Sequence, residues 1–121
     1  MFRCPKCHRK TLTIAHSIDL PADARSDEIA VQSIACAACG FSGAAVYEES
    51  RRGAGESVSH TGYALSPAEF SALDGLLAAC PAPSDTACGC VAHRSLNRRT
   101  EDGYWDGLRD FSLGEMFVMD F

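Results

Sequence analysis

Two Cys-x-x-Cys pairs near the amino terminus constrain the fold more than any other feature of this chain. The first pair is Cys4 and Cys7, and the second, Cys36 and Cys39, follows after 28 intervening residues. Each pair can form a tight turn that points two sulfur atoms at one ion, and a hairpin between the pairs can bring the turns together. Four thiolates at about 2.3 Å are a coordination that Zn²⁺ prefers. The spacing therefore predicts a closed structural zinc site with no coordination position open for chemistry.

The residues around these pairs have the pattern of a small antiparallel sheet. Polar and apolar residues alternate over 11–18, and 28–35 and 41–49 also read as strands, with a charged, proline-containing loop over 20–27. In this part the chain resembles the zinc-ribbon superfamily, and the resemblance covers residues 1–49. It implies two metal-binding turns on a three-stranded antiparallel sheet, with the four cysteines as ligands, but it implies little about function. Rubredoxins share this arrangement and hold iron, whereas His8, in place of the small glycine usual there, favours zinc.

The next part of the chain is predicted to be a linker followed by a helical segment over 63–99. Residues 50–62 are rich in glycine and serine and predict a flexible connection. A helix is predicted from Ser66 to Cys80, because Ser66 is a good N-cap, Pro67 suits the first helical position and Glu69 completes a capping box. An apolar stripe at helical spacing predicts that this helix packs on the rest of the protein.

A second group of metal-ligating residues follows the predicted helix. Cys80, Cys88, Cys90 and His93 lie within 14 residues, and the turn at Gly89 with a helix starting near Val91 would let them converge. Three cysteines and one histidine are an established structural zinc set, so we expect a second Zn²⁺ here. The alternatives are that these are buried reduced cysteines, or that Cys88 and Cys90 form a redox pair, although a disulfide at that spacing is strained.

The last 22 residues are acidic and aromatic. Residues 1–99 carry ten cations and ten carboxylates, whereas 100–121 carry one arginine against six carboxylates, so the net charge of −5 lies in this segment. Two interpretations stay open. The segment either closes the protein's own core or docks on another protein through its aromatic residues. The candidate contact residues are Trp105, Phe111, Phe117 and Phe121.

Two basic clusters offer an alternative contact surface for nucleic acid. They comprise Arg3, Lys6, Arg9 and Lys10 near the first cysteine pair, and Arg94, Arg98 and Arg99 after the second metal-ligating group. The overall negative charge disfavours broad attraction to phosphate backbones, although a local basic face is compatible with it. Residues 51 and 52 are also arginines, but an isolated pair is more often simply solvated.

No catalytic signature accompanies these features. The sequence has no zinc-peptidase or zinc-deaminase motif, and His60 has no acid partner or nucleophile motif beside it. There is also no signal-like start and no apolar stretch approaching the roughly 20 residues of a membrane span, so we expect a cytoplasmic, non-enzymatic protein.

The sequence thus predicts an α+β protein, in which an N-terminal three-stranded zinc ribbon is followed by a small helical segment with a second zinc site. The expected function is that of a zinc-binding accessory or adaptor protein that docks on a larger protein partner. The alternative is a nucleic-acid-binding zinc-ribbon protein of the transcription or translation factor type.

Overall fold

The computed structural model describes residues 1–52 and 55–121, and it confirms the α+β class. Five strands form one antiparallel sheet in the order β1-β2-β3-β4-β5. The elements, in chain order, are β1 (Leu12–Leu20), β2 (Glu28–Cys36), β3 (Ser42–Ser50), β4 (Ser57–Ala64), α1 (Pro67–Ala78), α2 (Val91–Leu96) and β5 (Met116–Val118). The three strands predicted for the ribbon agree with β1 to β3 to within two residues.

The sheet continues beyond the predicted ribbon. Residues 57–62, predicted as part of a flexible linker, lie in β4, which pairs with β3 from Gly43 opposite Ala64 to Ser50 opposite Ser57. The linker prediction was therefore wrong for these residues, because composition alone does not reveal pairing with a distant strand. Gly53 and Ala54, which also belong to the predicted linker, lie outside the described residues.

Both faces of the sheet are covered. One face, the helical face, packs against α1 and α2 through buried residues that include Ile18, Ile29, Val31, Val46, Leu73, Leu77 and Leu96. The opposite face, the knuckle face, is covered by the first cysteine pair and the chain's C-terminus around Leu12, Ile34, Ala45 and Met119. This double coverage explains why β2 is buried along nearly its whole length. It also means that a 121-residue chain builds two hydrophobic clusters from one sheet.

Helix α1 begins as its sequence predicts. Ser66 Oγ accepts a hydrogen bond from Glu69 N at 3.2 Å, and Pro67 is the first helical residue. The second half of the predicted capping box is replaced by a tertiary contact, since Glu69 Oε2 accepts a hydrogen bond from Ser112 N at 2.8 Å. The helix ends at Ala78, two residues before the predicted end. Glu69 thus ties the C-terminal segment to α1.

The C-terminal segment folds onto the body of the protein. Trp105 N donates to Asp23 Oδ2 at 2.6 Å, and Trp105 Nε1 donates to Leu96 O at 2.8 Å. Leu108 is buried in the helical-face core, and Met119 is buried on the knuckle face. These contacts show that parts of the segment close the protein's own core, while most of its residues are exposed.

Candidate metal centres

The first cysteine cluster forms where β1 and β2 meet. The ligand atoms of Cys4, Cys7, Cys36 and Cys39 all lie within 4.8 Å of one another, with Cys4 Sγ 3.6 Å from Cys39 Sγ and Cys7 Sγ 3.8 Å from Cys36 Sγ. The first pair lies in the turn before β1, and Cys36 ends β2 opposite Leu12. Strand pairing therefore brings together two turns that are far apart in sequence, and the predicted four-sulfur cluster is confirmed as a group that could hold a metal ion.

The two turns of this cluster each need a residue in the left-handed region. Gly40 follows the second pair with φ of 77°, as expected for glycine. His8 follows the first pair with φ of 63°, a conformation that a residue with a Cβ adopts at some cost. Its amide donates to Cys4 O at 2.9 Å, which closes the turn. Histidine thus occupies a left-handed turn position of the kind that favours glycine.

Hydrogen bonding gives the sulfur atoms of this cluster different pKa values. The Thr11 hydroxyl oxygen lies 3.0 Å from Cys36 Sγ, and this contact is the largest cause that lowers the pKa of Cys36 to about 6. For Cys39, the amide of Phe41 lowers the pKa, but burial and the hydrogen bonds with neighbouring thiols raise it to about 11. Cys36 therefore loses its proton more readily than Cys39 does. A metal ion must still displace the proton of Cys39, so binding weakens as pH falls.

The second cluster forms between the end of α1 and the start of α2. The ligand atoms of Cys80, Cys88, Cys90 and His93 also lie within 4.8 Å of one another. His93 Nδ1 is 3.2 Å from Cys90 Sγ and 3.4 Å from Cys80 Sγ, and Cys80 Sγ is 4.0 Å from Cys88 Sγ. As predicted, a helix starts at Val91, with Cys90 as its N-cap. These four residues could therefore hold a second metal ion.

The His93 ring is oriented by a backbone oxygen. Its Nε2 donates to Asp19 O at 2.9 Å, and the residue is only 3% exposed. Because a carbonyl oxygen only accepts, this contact places the proton on Nε2 and leaves the Nδ1 lone pair directed at the sulfurs. A hydrogen bond that orients a histidine from outside the ligand set is typical of metal sites. Nothing in the sequence identified Asp19 as this acceptor.

The sulfur atoms of the second cluster also differ in pKa. The backbone N–H of His93, and next its ring, lower the pKa of Cys90 to about 6. Burial is the main cause that raises the pKa of Cys80 to about 11. Each cluster thus combines one readily ionised sulfur with one that holds its proton until a cation displaces it. A metal cation can displace this proton and bind both sulfurs as thiolates.

Three of the four aromatic residues proposed as partner contacts lie within the protein's own clusters. Trp105 and Phe111 pack partly buried against the helical-face core. Phe117 packs on the knuckle face, with its ring centroid 5.7 Å from that of Phe41. Phe121 differs, because it is 73% exposed and its ring stacks on Phe2 at a centroid distance of 4.6 Å.

The two basic clusters have different environments. Arg98 Nη1 donates to Asp110 Oδ2 at 2.5 Å, which joins two parts of the C-terminal half, and Arg99 Nη2 donates to Pro21 O at 2.7 Å, which ties this half to the loop after β1. The first cluster is exposed, and within residues 1–52 and 55–121 none of its members makes an ion pair: Arg3, Lys6, Arg9 and Lys10.

The two basic clusters also lie far apart. The first metal cluster lies at the Leu12 end of β1, whereas Arg94 follows His93, which contacts β1 at Asp19. Seven residues of strand separate Leu12 from Asp19, or about 23 Å. The basic clusters therefore lie near opposite ends of β1.

The remaining histidines have polar partners within the fold. His16 Nδ1 is 2.7 Å from Asp74 Oδ1, which also accepts from the fully buried Ser33 hydroxyl at 2.7 Å. His60 Nε2 is 2.6 Å from Gln32 Oε1. The first contact joins α1 to the sheet, and the second lies on the knuckle face.

Comparison with protein-family models, with curated proteins and with solved structures finds no match for this chain. Among the described residues, no helix has the length and apolar character needed to cross a membrane. The class of protein is therefore defined by its own structure, as an α+β protein with two candidate metal clusters.

Proposed function

We propose that this protein is a non-catalytic adaptor that holds two Zn²⁺ ions and docks on a larger protein through the surface where its two chain ends meet. The observation that carries the proposal is the exposed Phe121 ring, which stacks on Phe2 next to the first metal-binding turn. The four cations of that turn have no carboxylate partner in the described chain. The metal clusters supply rigidity to this surface. The chain ends supply the contact.

The choice of zinc follows from the donors. One cluster offers four sulfurs and the other three sulfurs and an imidazole nitrogen, and both sets suit tetrahedral Zn²⁺. Each set is complete with four donors, which leaves no position for a substrate or an activated water. A closed site of this kind contributes folding free energy rather than chemistry. This supports a non-catalytic role for the metals.

The proposed contact surface is formed by residues from both ends of the chain. Arg3 N donates to Asp120 O at 2.6 Å, which holds the last residues beside the first metal-binding turn. Phe2 stacks on Phe121 and also meets His60 edge to face at a centroid distance of 5.3 Å. We call this group, together with the cations of the first basic cluster, the terminal patch. Its aromatic rings are preorganised before any partner binds.

The composition of the terminal patch suggests the chemistry of its partner. Met1 and Phe121 are 71% and 73% exposed, an arrangement in which an aromatic anchor can insert into an apolar pocket. The surrounding cations would face carboxylates on that partner. Asp120 and the four thiolates of the first cluster offset part of this positive charge. We therefore expect binding to depend only moderately on salt.

A second candidate function uses the same patch. Exposed aromatic rings among unpaired cations also suit single-stranded nucleic acid, whose bases stack on the rings while its phosphates meet the cations. Four phosphate contacts would make the affinity fall steeply with salt, with a log–log slope of about −3 for a single strand. This slope distinguishes the two candidates.

The test compares variants of the patch with a matched cation elsewhere. First, a partner is captured from a nuclease-treated lysate of the source organism, identified and purified. The purified partner is then titrated against four proteins: the wild type, Phe121→Ala, Arg9→Glu and the control Arg94→Glu. We expect Phe121→Ala and Arg9→Glu to weaken binding about tenfold or more, since anchors at an interface are worth over 1 kcal/mol. Arg94→Glu should bind as the wild type does, because Arg94 lies at the other metal cluster.

Two results would change the assignment. Equal affinity of all four proteins for the purified partner would refute the terminal patch as the contact. Binding of a fluorescent single-stranded oligonucleotide with the steep salt slope, abolished by Arg9→Glu, would instead establish the nucleic-acid function.

A further inference from the structure

We propose that the outer edge of β5 pairs with the β5 strand of a second copy of this chain, which joins two five-stranded sheets into one. This inference does not rest on the proposed function, because it uses the backbone of Met116 and Val118 rather than the rings and cations of the terminal patch. It rests on the backbone of β5, on its exposed side chains and on the charge pattern of its sequence.

The backbone groups of Met116 and Val118 point away from β4. The inner side of β5 is identified by the contacts of its neighbours, since Ala64 N donates to Glu115 O and Met119 N donates to His60 O. Successive residues of a strand direct their N–H and C=O groups to opposite sides. Nothing in residues 1–52 or 55–121 forms a backbone hydrogen bond to the outward groups of Met116 and Val118. We call this side of β5 the open edge.

The side chains along the open edge are apolar and exposed. Met116 lies opposite Tyr63 and Val118 opposite Thr61, so both side chains lie on the helical face of the sheet. They are 66% and 75% exposed, respectively. Unpaired backbone groups next to exposed apolar side chains form a template for another strand.

The other edge of the sheet is protected by the chain itself. Strand β1 contains a register irregularity between Ile14 and His16, which interrupts regular pairing. Farther along, Asp19 N donates to Pro83 O, and Asp19 O accepts from the His93 ring. Within residues 1–52 and 55–121, nothing covers Met116 and Val118 in this way, and the nearest contact is Arg3 N, which donates to Asp120 O just beyond the strand. Residues 110–121 contain no lysine, arginine or proline that would discourage pairing.

The sequence of β5 is complementary to itself. An antiparallel pair centred on Phe117 places Met116 of one copy opposite Val118 of the other, and Glu115 opposite Met119. No carboxylate then faces a carboxylate, which would disfavour pairing. The outward groups of Met116 and Val118 supply about four hydrogen bonds between the copies. Because the strand is short, we expect a weak dimer with a dissociation constant of about 100 µM, as is typical of small interfaces.

Sedimentation velocity over protein concentrations from about 10 µM to about 1 mM tests this pairing. The average mass of the wild-type protein should rise from 12.9 kDa towards twice that value. Val118→Lys and Met116→Lys should stay monomeric, since they place positive charge on both copies of the edge. The control is Val58→Lys, because Val58 is 59% exposed on β4 but lies opposite Glu49, away from the open edge. It should dimerise as the wild type does.

Amide hydrogen exchange supplies a measurement that needs no variant. Exchange at Met116 and Val118 should slow about twofold or more when the wild-type concentration is raised through the dissociation constant. A wild-type mass that stays at 12.9 kDa throughout would overturn the proposal and leave the open edge to a different protein. A dimer that persists in Val118→Lys, or that leaves exchange at these two amides unchanged, would overturn it as well.

Discussion

The His93→Ala variant tests the second metal cluster most directly, because His93 has two separable roles. Its Nδ1 faces the sulfurs of Cys80 and Cys90, and its Nε2 donates to Asp19 O. Alanine removes one metal ligand and also leaves the Asp19 carbonyl without its partner at the edge of β1. We expect the zinc content to fall from two ions per chain to one.

The loss of stability can be estimated from these two roles. A metal present at about a thousandfold excess over its dissociation constant stabilises the folded state by about 4 kcal/mol. The unpaired Asp19 carbonyl costs about 1–3 kcal/mol. Together these terms, about 5–7 kcal/mol, range from about a third to the whole of the 5–15 kcal/mol of an ordinary domain. The variant should therefore be markedly more sensitive to urea than the wild type, and it should unfold without urea if the wild type lies at the low end of that range.

Urea denaturation with zinc present separates the two terms. Cys88→Ser is the matched control, since it removes one candidate ligand of the same cluster and leaves the hydrogen bond from His93 to Asp19 O in place. Both variants should be destabilised by loss of the second metal ion, and His93→Ala should be about 1–3 kcal/mol less stable than Cys88→Ser because it also lacks the Asp19 hydrogen bond.

Two results would refute this reasoning. Elemental analysis of the wild-type protein that gives one zinc ion per chain, or an unchanged zinc content in His93→Ala, would show that the second cluster does not bind the metal. Equal stability of Cys88→Ser and His93→Ala would show that the Asp19 contact does not contribute.

Three further predictions concern the rest of the fold. Cys36→Ser should leave the ribbon unfolded and abolish zinc at the first cluster, as seen by circular dichroism and elemental analysis; an unchanged melting temperature would contradict that assignment. Burial would raise the pKa of Asp23, but the three backbone amides that donate to it lower that pKa. Its ionised form therefore stabilises the protein above about pH 4. Urea titrations should show Asp23→Asn to be about 1–3 kcal/mol less stable than the wild type at pH 7. This difference should disappear as the pH falls through the lowered pKa of Asp23. Gly62→Ala should destabilise the protein by about 1–3 kcal/mol in thermal melts, because a Cβ there would lie 2.4 Å from the Phe117 ring. The control is Gly75→Ala, which should be neutral or stabilising because a Cβ there meets no neighbour within 4 Å.

Local features of the fold were predictable because their causes are local in sequence. The cysteine spacing identified both ligand sets, since chelation by residues a few positions apart needs only a turn. Ser66 and Pro67 predicted the start of α1 for the same reason, because a helix N-cap acts on amides three residues away. Even the start of α2 at Val91 followed from the turn that the second cysteine group requires.

Other features depend on partners that are distant in sequence. Residues 57–62 form a strand only because β3 and β5 lie on either side of them, and a serine-rich stretch alone does not reveal such neighbours. Glu69, predicted to cap its own helix, bonds instead to Ser112. The same holds for Arg98, whose partner Asp110 belongs to the C-terminal segment.

The sequence by itself determined the α+β class, strands β1 to β3, the first helix and the eight candidate ligands, because residue spacing and periodicity specify each of them. Only the tertiary structure decided which charged and aromatic residues stay exposed. In the C-terminal segment, Trp105, Phe111 and Phe117 pack partly buried within the fold and Asp110 pairs with Arg98, whereas Phe121 and the cations near the first metal cluster remain exposed. The physical reason is that a side chain is available for binding only when no distant residue has already buried or paired it, and such pairing is a property of the whole fold.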